Sequence, residues 1–239
     1  MIERLHRFYL KEQFQPGLAG LFINPFFLAR RALWQAMRDF SPQVRGVVLD
    51  VGCGIRPYRG LYAIERYVGL EIDSPEARAR GLADQYYDGG RFPFDDASFD
   101  AVLCNQVLEH VFAPEPFLAE IARVMKPHAR LVLTVPFVWD EHEQPLDYAR
   151  YSSFGLQALL ERGGLAILEH RKLNDGAAAI FQLAVAYLQK VLHTRSRALN
   201  LLLCATLMSP LSLLGLVLGA VLPRNPDLYL DHAVLARKR

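Results

Sequence analysis

VVLDVGCGIRPY, from Val47 to Tyr58, is the stretch on which the fold turns. Its apolar run, Val47 to Val51, has the length and β-branched content of a buried strand. Gly52 and Gly54 follow at once, and glycines there let the backbone come close to a ligand, where the amides of the next element favour binding. Two phosphate-binding readings fail on the residues. A dinucleotide fingerprint needs a third glycine at position 57, where Pro57 stands. A phosphate loop needs a lysine followed by serine or threonine, and CGIRPYRG has neither. Asp50 points the same way, because a carboxylate beside the turn repels a pyrophosphate and suits a ligand that carries positive charge.

Outward from this turn, short apolar runs alternate with longer amphipathic ones. Strands are predicted at Val47 to Val51, Tyr67 to Ile72, Ala101 to Cys104, Leu131 to Val135, Leu165 to Leu173 and Leu228 to Ala236. PFLAEIARVMKP sets Phe117, Ile121 and Val124 at helical spacing, with Pro127 expected to stop the helix. SSFGLQALLERGG does the same with Leu156, Leu159 and Leu160, between a capping serine and Gly163. This order predicts an α/β fold with a doubly wound sheet, whose ligands lie beyond the carboxyl ends of its strands.

The bulk properties exclude several classes. With a net charge of +2 among 239 residues and no dense basic patch, nucleic acid is not an expected partner. Cys53, Cys104 and Cys204 are far apart and odd in number, which argues against a disulfide frame and for a reducing cytoplasm. The first residues mix both charge signs without an apolar run, so no secretory signal is expected. Apolar residues make up 52% of the chain, above the usual range, and their location matters more than their total.

The decisive block is YYDGGRFPFDDASFDAVLCNQVLEHV, Tyr86 to Val111. Together with DVGCG and YVGLEID it resembles the class I S-adenosylmethionine-dependent methyltransferases, in the type 11-like branch whose pattern runs D, three residues, LPF, an acidic turn, SFD and VLEHV. The resemblance spans about Gly46 to Gly164. It implies a Rossmann-like sheet of seven strands, mostly parallel with an antiparallel last strand, and S-adenosyl-L-methionine as cofactor. It also implies that Asp50, Gly52 and Gly54 form the floor under the methionine part, that Glu71 holds the ribose, and that Asp88 and Gly89 lie at the adenine with Leu70 and Ile72 enclosing the ring. Asn105 and Gln106 would line the site near the amino-acid tail or the methyl group. One departure stands out: Arg56 occupies the place of a third glycine, and fits if its side chain points out of the turn.

The acceptor side is expected in VWDEHEQPLDYARY, Val138 to Tyr151. It is similar to an HExPxDxxRY segment of methyltransferases assigned to surface-polysaccharide and other cell-envelope pathways. His142, Glu143 and Tyr151 are the candidate catalytic residues, and Asp147 and Arg150 the candidate substrate-binding ones. His142 is the preferred base for a hydroxyl, since an imidazole's unperturbed pKa lies near neutrality; a purely structural loop is the alternative. Arg150 binds a substrate carboxylate or phosphate, or pairs internally with Asp147 or Glu143. His110 reads as a packing residue, and Cys53 and Cys104 as core. No metal is expected, because the histidines lack close ligand spacing in the sequence.

Two regions fall outside the alternation. Residues 1–45 read as an N-terminal helical cap, placed as a lid ahead of a membrane anchor, and residues 176–222 as a hydrophobic helical insertion, with 46–175 and 223–239 forming the methyltransferase domain. Ala198 to Leu222 contains no charge, and about 20 apolar residues suffice to cross a bilayer. A single crossing would put the strands on either side of the insertion in different compartments, and Pro210 suggests two shorter helices with a bend. The expectation is a peripheral contact with the inner face of the cytoplasmic membrane, with packing on the sheet or a dimer interface as the alternative. The predicted reaction is methylation of an oxygen in a glycan or lipid-linked envelope precursor. Its rivals are methylation of a quinone or isoprenoid ring, and a catalytically silent cofactor-binding subunit.

Overall fold

The computed structural model describes residues 2–239. In chain order the elements are α1 (Ile2–Phe14), α2 (Gly20–Ile23), α3 (Phe27–Phe40), β1 (Val47–Val51), β2 (Arg66–Ile72), α4 (Pro75–Arg80), β3 (Gln85–Tyr87), β4 (Phe99–Asn105), α5 (Pro114–Val124), β5 (Met125–Pro136), α6 (Ser153–Arg162), β6 (Leu165–Leu173), α7 (Ala177–Leu192), α8 (Arg197–Leu203), a π-helical turn (Cys204–Met208), α9 (Ser209–Val221) and β7 (Asp231–Lys238). The strands form one seven-stranded sheet in the order β3-β2-β1-β4-β5-β7-β6, parallel from β3 through β5 and antiparallel at its end, as the family resemblance implies.

By packing, the chain divides into two compact units, residues 36–171 with 232–239 and residues 1–35 with 172–231. In the first, the faces of β1, β4 and β5 bury Leu49, Val102, Leu131 and Leu133 against Phe117, Leu118 and Ile121 of α5 and Leu156 and Leu160 of α6. The parallel register pairs Val51 with both Leu70 and Cys104, and Ile72 with Tyr87. The carboxyl ends of β1 to β4 therefore finish side by side, and the loops that leave them share one edge. The Ser152 hydroxyl caps α6 by accepting from the Gly155 amide, and Gly163 closes that helix. α5 ends at Val124 rather than at Pro127: Met125 is already extended, and Pro127 lies in the first, irregular part of β5, near the register shift at Phe99/Ala101. The residue before a proline is held out of the helical region, so the helix has to end upstream. β3 is only three residues long and escaped the sequence pattern.

In the second unit, α1, α2 and the start of α3 pack with α7, α8 and α9. The buried Glu12 carboxylate accepts from the amides of Gly17 and Gly20 at 2.8 and 2.7 Å. Gln182, fully buried on α7, accepts from the amides of Leu28 and Ala29 at 3.0 and 3.2 Å and donates to the Pro25 carbonyl at 2.9 Å. α7 also meets α9 where Gly215 and Gly219 lie one turn apart; a Cβ on Gly215 would come within 2.8 Å of Phe181 Cβ. Small residues at this spacing let two helix backbones approach closely.

The expected bend at Pro210 is corrected. Arg197 to Val221 runs on as one helix, and the irregularity lies upstream at Cys204–Met208. There the Ser209 amide reaches back to the Cys204 carbonyl, a widened turn that absorbs the amide Pro210 lacks. The Ser209 hydroxyl adds a bond to the Leu21 carbonyl at 2.7 Å.

Candidate active site

The turn after β1 is built as its glycines require. Gly52 has φ +68°, and a Cβ there would lie 2.4 Å from Val107 Cγ2. Gly54, at φ +48°, would carry a Cβ into clear space, and its amide donates to Glu71 Oε2 at 2.9 Å. Glu71 Oε1 accepts from the Ile72 amide at 3.2 Å. Ile72 is half-exposed, and its Cδ1 lies against Gly89, which has φ +93°. Asp88 closes its own short turn by accepting from the Gly90 amide at 2.9 Å. Gln106, at φ +54°, donates its amide to the Thr134 carbonyl, and Asn105 beside it carries a buried side-chain oxygen without a partner. The structure thus brings Gly52, Gly54, Glu71, Ile72, Asp88, Gly89, Asn105 and Gln106 to the carboxyl edge of four neighbouring strands.

Asp50 lies beneath the turn, 6% exposed, and accepts a short hydrogen bond from the Tyr67 hydroxyl. Burial pushes its carboxyl up to about 7, against the opposing pull of the Tyr67 bond and the Arg56 charge. Arg56 is led away from the glycines. Its guanidinium crosses the bare Cα of Gly69, stacks 5.3 Å from the Tyr67 ring centroid and binds Asp84 at 2.8 Å. A side chain on Gly69 would block that path, with Arg56 Nη2 only 2.7 Å away. Tyr67 and Asp84 were not legible as site residues, because neither belongs to the glycine motif. A cavity of about 820 Å³ lined by Arg66, Asp84, Arg91 and Phe94 includes none of the glycine-turn residues. The convergence of carboxylates and strand ends is the better guide to the site.

Burial pushes the Cys53 thiol up to about 11 and raises that of Cys104 too, which suits packing residues better than nucleophiles.

The acceptor-side loop is tied to the turn after β4. The amides of Tyr148 and Ala149 donate to the Glu109 carbonyl at 2.9 and 3.2 Å. Arg150 grips Asp147 with both guanidinium nitrogens, at 2.5 and 2.7 Å, and holds that carboxyl well below the usual carboxylate range. The internal pair foreseen for Arg150 is therefore formed with Asp147, not with Glu143. Glu143 is exposed, at φ +48°, and its carbonyl takes the Leu146 amide in a turn. Tyr151 packs against the core while its carbonyl takes a bond from His232 Nε2 at 2.8 Å; burial pushes its hydroxyl up to about 12. His142 Nδ1 sits 3.2 Å from Asp147 Oδ2, and its ring stands edge-on to that of His110, centroids 4.9 Å apart. Glu109, fully buried, faces both rings. His142 is remote from Glu109 and His110 in sequence but next to them in space, and the three form a cluster that spacing alone could not show.

The glycine turn fits an adenosyl cofactor. A cradle free of side chains lies at Gly54, Glu71 is held at its edge, and an orphaned amide oxygen at Asn105 leaves a polar contact to be made.

Comparison with known proteins agrees with this geometry. Residues 49–133 match the family described as a methyltransferase domain. An uncharacterized methyltransferase of Mycobacterium sp. (strain JLS) is 32% identical over 163 residues, covering 62% of this chain and 61% of its own length. The chain thus spans about three fifths of the length of the curated relatives it matches. Among solved structures, an S-adenosylmethionine-dependent methyltransferase from Mesorhizobium loti superposes with a TM-score of 0.55 at 17% identity, over 88% of this chain and 99% of that one. Phosphoethanolamine N-methyltransferase 2 of Haemonchus contortus, in complex with S-adenosyl-L-methionine, does so with a TM-score of 0.55 at 15% identity, over 95% of this chain and 58% of that one. At such identities the superpositions speak for the fold. Residues 49–133 thus match a methyltransferase-domain family, the sheet around them has the Rossmann-like fold of the superposed structures, and both support S-adenosylmethionine as the cofactor.

Proposed function

We propose that the chain transfers a methyl group from S-adenosylmethionine to an oxygen of a glycan or lipid-linked envelope precursor at a membrane surface. The observation that carries the methyl-transfer part is the meeting of Gly54 and Glu71 at 2.9 Å beside a cradle clear of side chains. When bound, the cofactor supplies a methyl carbon already activated by a positive sulfur. What is left to the chain is to position the acceptor, exclude water and help remove a proton. In this reading Glu71 takes the ribose hydroxyls as an acceptor of hydrogen bonds, Asp88 and Ile72 bound the adenine end, and Asn105 and Gln106 serve the amino-acid end.

His142 is the residue we assign to activating the acceptor hydroxyl. The Asp140 carbonyl, 3.2 Å from His142 Nδ1, can only accept, which places a hydrogen on Nδ1 and leaves Nε2 with a lone pair, while the Asp147 carboxylate accepts from the His142 backbone amide at 3.0 Å. Asp147 and Arg150 then act as a brace for His142, and Glu143 shapes the loop. His142→Ala is expected to lower turnover about 100-fold while S-adenosylmethionine affinity stays within about twofold. Turnover is read by transfer of radiolabel, affinity by calorimetry. Unchanged turnover would remove His142 from the mechanism.

The acceptor's apolar part is suggested by the helix Arg197 to Val221. Among the described residues it is the one helix long and apolar enough to span a bilayer, yet only 28% of its apolar window is buried. Leu202, Leu213, Val217 and Val221 are each half-exposed or more. β6 and β7 are neighbours in one sheet, so the chain comes back to the side it left, which argues against a lone crossing. α7 is short, and its Gln182 is used inside the unit. An apolar helix face lying in the interface fits these facts, with HTRSR (His193 to Arg197) close to anionic headgroups. The purified chain is expected to float with anionic liposomes at low salt, and Leu213→Asp with Val217→Asp to cut the bound fraction about tenfold. Failure of the unaltered chain to float would rule out the membrane part alone.

Incubation with radiolabelled cofactor and fractionated membrane extract tests the substrate class. Label in sugar-containing lipid supports the proposal, label in a quinone fraction favours ring methylation, and cofactor binding without any label favours a silent subunit.

A further inference from the structure

Glu109 and His110 sit on the 3-10 turn Leu108–His110 that follows β4, and His142 arrives from the loop after β5. The Glu109 carboxylate is fully buried. Its Oε1 lies 3.8 Å from His110 Nε2 and 4.0 Å from His142 Nε2, and one donor atom from each residue lies within 4.8 Å of the others. Those distances are too long for hydrogen bonds.

The outer partners fix what each ring offers. His110 Nδ1 lies 2.8 Å from the Leu146 carbonyl, which can only accept, so Nδ1 carries the hydrogen and the lone pair is on Nε2. His142 Nδ1 lies 3.2 Å from the Asp140 carbonyl and 3.2 Å from the Asp147 carboxylate, and these two acceptors are nearer than the Arg150 guanidinium at 3.5 Å, so they set the hydrogen on Nδ1. Its lone pair is therefore also on Nε2. Two imidazole lone pairs and a carboxylate oxygen thus converge, the carboxylate buried and both rings partly exposed, each ring anchored from behind by a carbonyl or carboxylate. Anchoring of the far ring nitrogen is also how metal-binding histidines are held.

We propose that Glu109, His110 and His142 bind a divalent transition-metal cation of the zinc class. Two nitrogen donors and one carboxylate favour such an ion over magnesium or calcium, which prefer oxygen alone. With bonds of about 2.1 Å, a tetrahedral site holds its ligand atoms roughly 3.4 Å apart. From separations of 3.8 and 4.0 Å to Glu109 Oε1, and of at most 4.8 Å among the donor atoms, the side chains need to close by about 0.4 to 1.4 Å to reach that spacing. Three protein ligands leave a coordination position open. As a binding site this cluster stands without the proposed methyl transfer. As a device it rests on that reading: a cation there would receive the acceptor's oxygen and make its proton easier to lose to solvent, so that His142 would activate the hydroxyl as a ligand of the cation in place of taking the proton itself.

The test uses the full chain, stripped with a chelator and titrated separately with Zn²⁺ and with Co²⁺. One equivalent of each is expected to bind, and Co²⁺ should give the visible absorption of a site with nitrogen and oxygen ligands. His110→Ala and His142→Ala should each weaken binding about 100-fold, and Asp147→Asn about tenfold through the outer partner. Because Glu109 is buried, Glu109→Gln serves as its near-isosteric probe, and calorimetry with S-adenosylmethionine verifies that each variant is folded. Absence of saturable binding by the unaltered chain at about 100 μM metal, or binding by both histidine variants as tight as that of the unaltered chain, overturns the site. Metal binding without cofactor binding would leave the site standing and sink the methyl-transfer reading instead.

Discussion

Gly52→Ala is expected to destabilise the protein by about 2–5 kcal/mol and to abolish measurable binding of S-adenosylmethionine. Two costs combine. The residue holds φ +68°, where a side chain adds about 1–2 kcal/mol, and the new methyl would stand 2.4 Å from Val107 Cγ2. Such overpacking typically adds about 1–3 kcal/mol. Relief requires Val107 to move, and Val107 leads into the turn that carries Glu109 and His110, so the damage extends from the cofactor turn to the acceptor-side cluster. Gly54→Ala is the contrasting variant. Nothing lies within 4 Å of its would-be Cβ, so only the backbone strain of its left-handed φ of +48° remains, and the loss of stability should be about 1–2 kcal/mol. Its methyl would enter the cradle, and cofactor affinity should drop at least about tenfold. Urea denaturation and calorimetry separate the two effects. If Gly52→Ala is as stable as Gly54→Ala, the packing of the turn on Val107 is wrong.

The second large effect concerns Asp50, and its sign follows from burial. Burial pushes the folded-state carboxyl up to about 7 from its ordinary value of 3.8, so between these the folded protein holds a proton that the unfolded chain has already released. Below about 3.8 both states are protonated and Asp50 costs nothing. As pH rises toward 7 the stability it contributes is lost, and above 7 the full penalty of a buried carboxylate remains. At 1.36 kcal/mol per unit the loss is on the order of 4 kcal/mol. Asp50→Asn keeps an acceptor for the Tyr67 hydroxyl and removes the ionisation. It is therefore expected to exceed the parent in stability at pH 8.5, by a margin that shrinks as pH is lowered toward 4. The same variant should flatten the pH dependence of cofactor binding, because a cationic ligand favours the ionised carboxylate and so binds the parent more tightly as pH rises through 7. Denaturation curves at pH 5 and 8.5 decide the matter: a stability difference that does not change with pH contradicts the burial argument.

The alternation of apolar runs and amphipathic segments was enough to read the sheet, since periodicity reports which faces must be buried. β3 was missed because three residues carry too little pattern, and the end of α5 was misplaced because the chain turns extended before its proline. The path of Arg56 could not be read from its neighbours, since it depends on the bare Cα of Gly69 and on Asp84, both brought in by pairing in the sheet. In the insertion, charge-free composition was plain, but the unbroken course of Arg197 to Val221 past Pro210 followed from the widened turn at Cys204–Met208.

By itself the sequence determined the class of fold, the glycine turn and the acids at the strand ends, because these are local: each follows from a short run and the strand or turn it makes. Tertiary structure alone decided that Glu109, His110 and His142 share one point, that Asp147 is engaged by Arg150, and that Asp50 is buried deeply enough to hold its proton. Such facts depend on distances between segments remote in the chain and on the exclusion of water, and neither is encoded in any one stretch of residues.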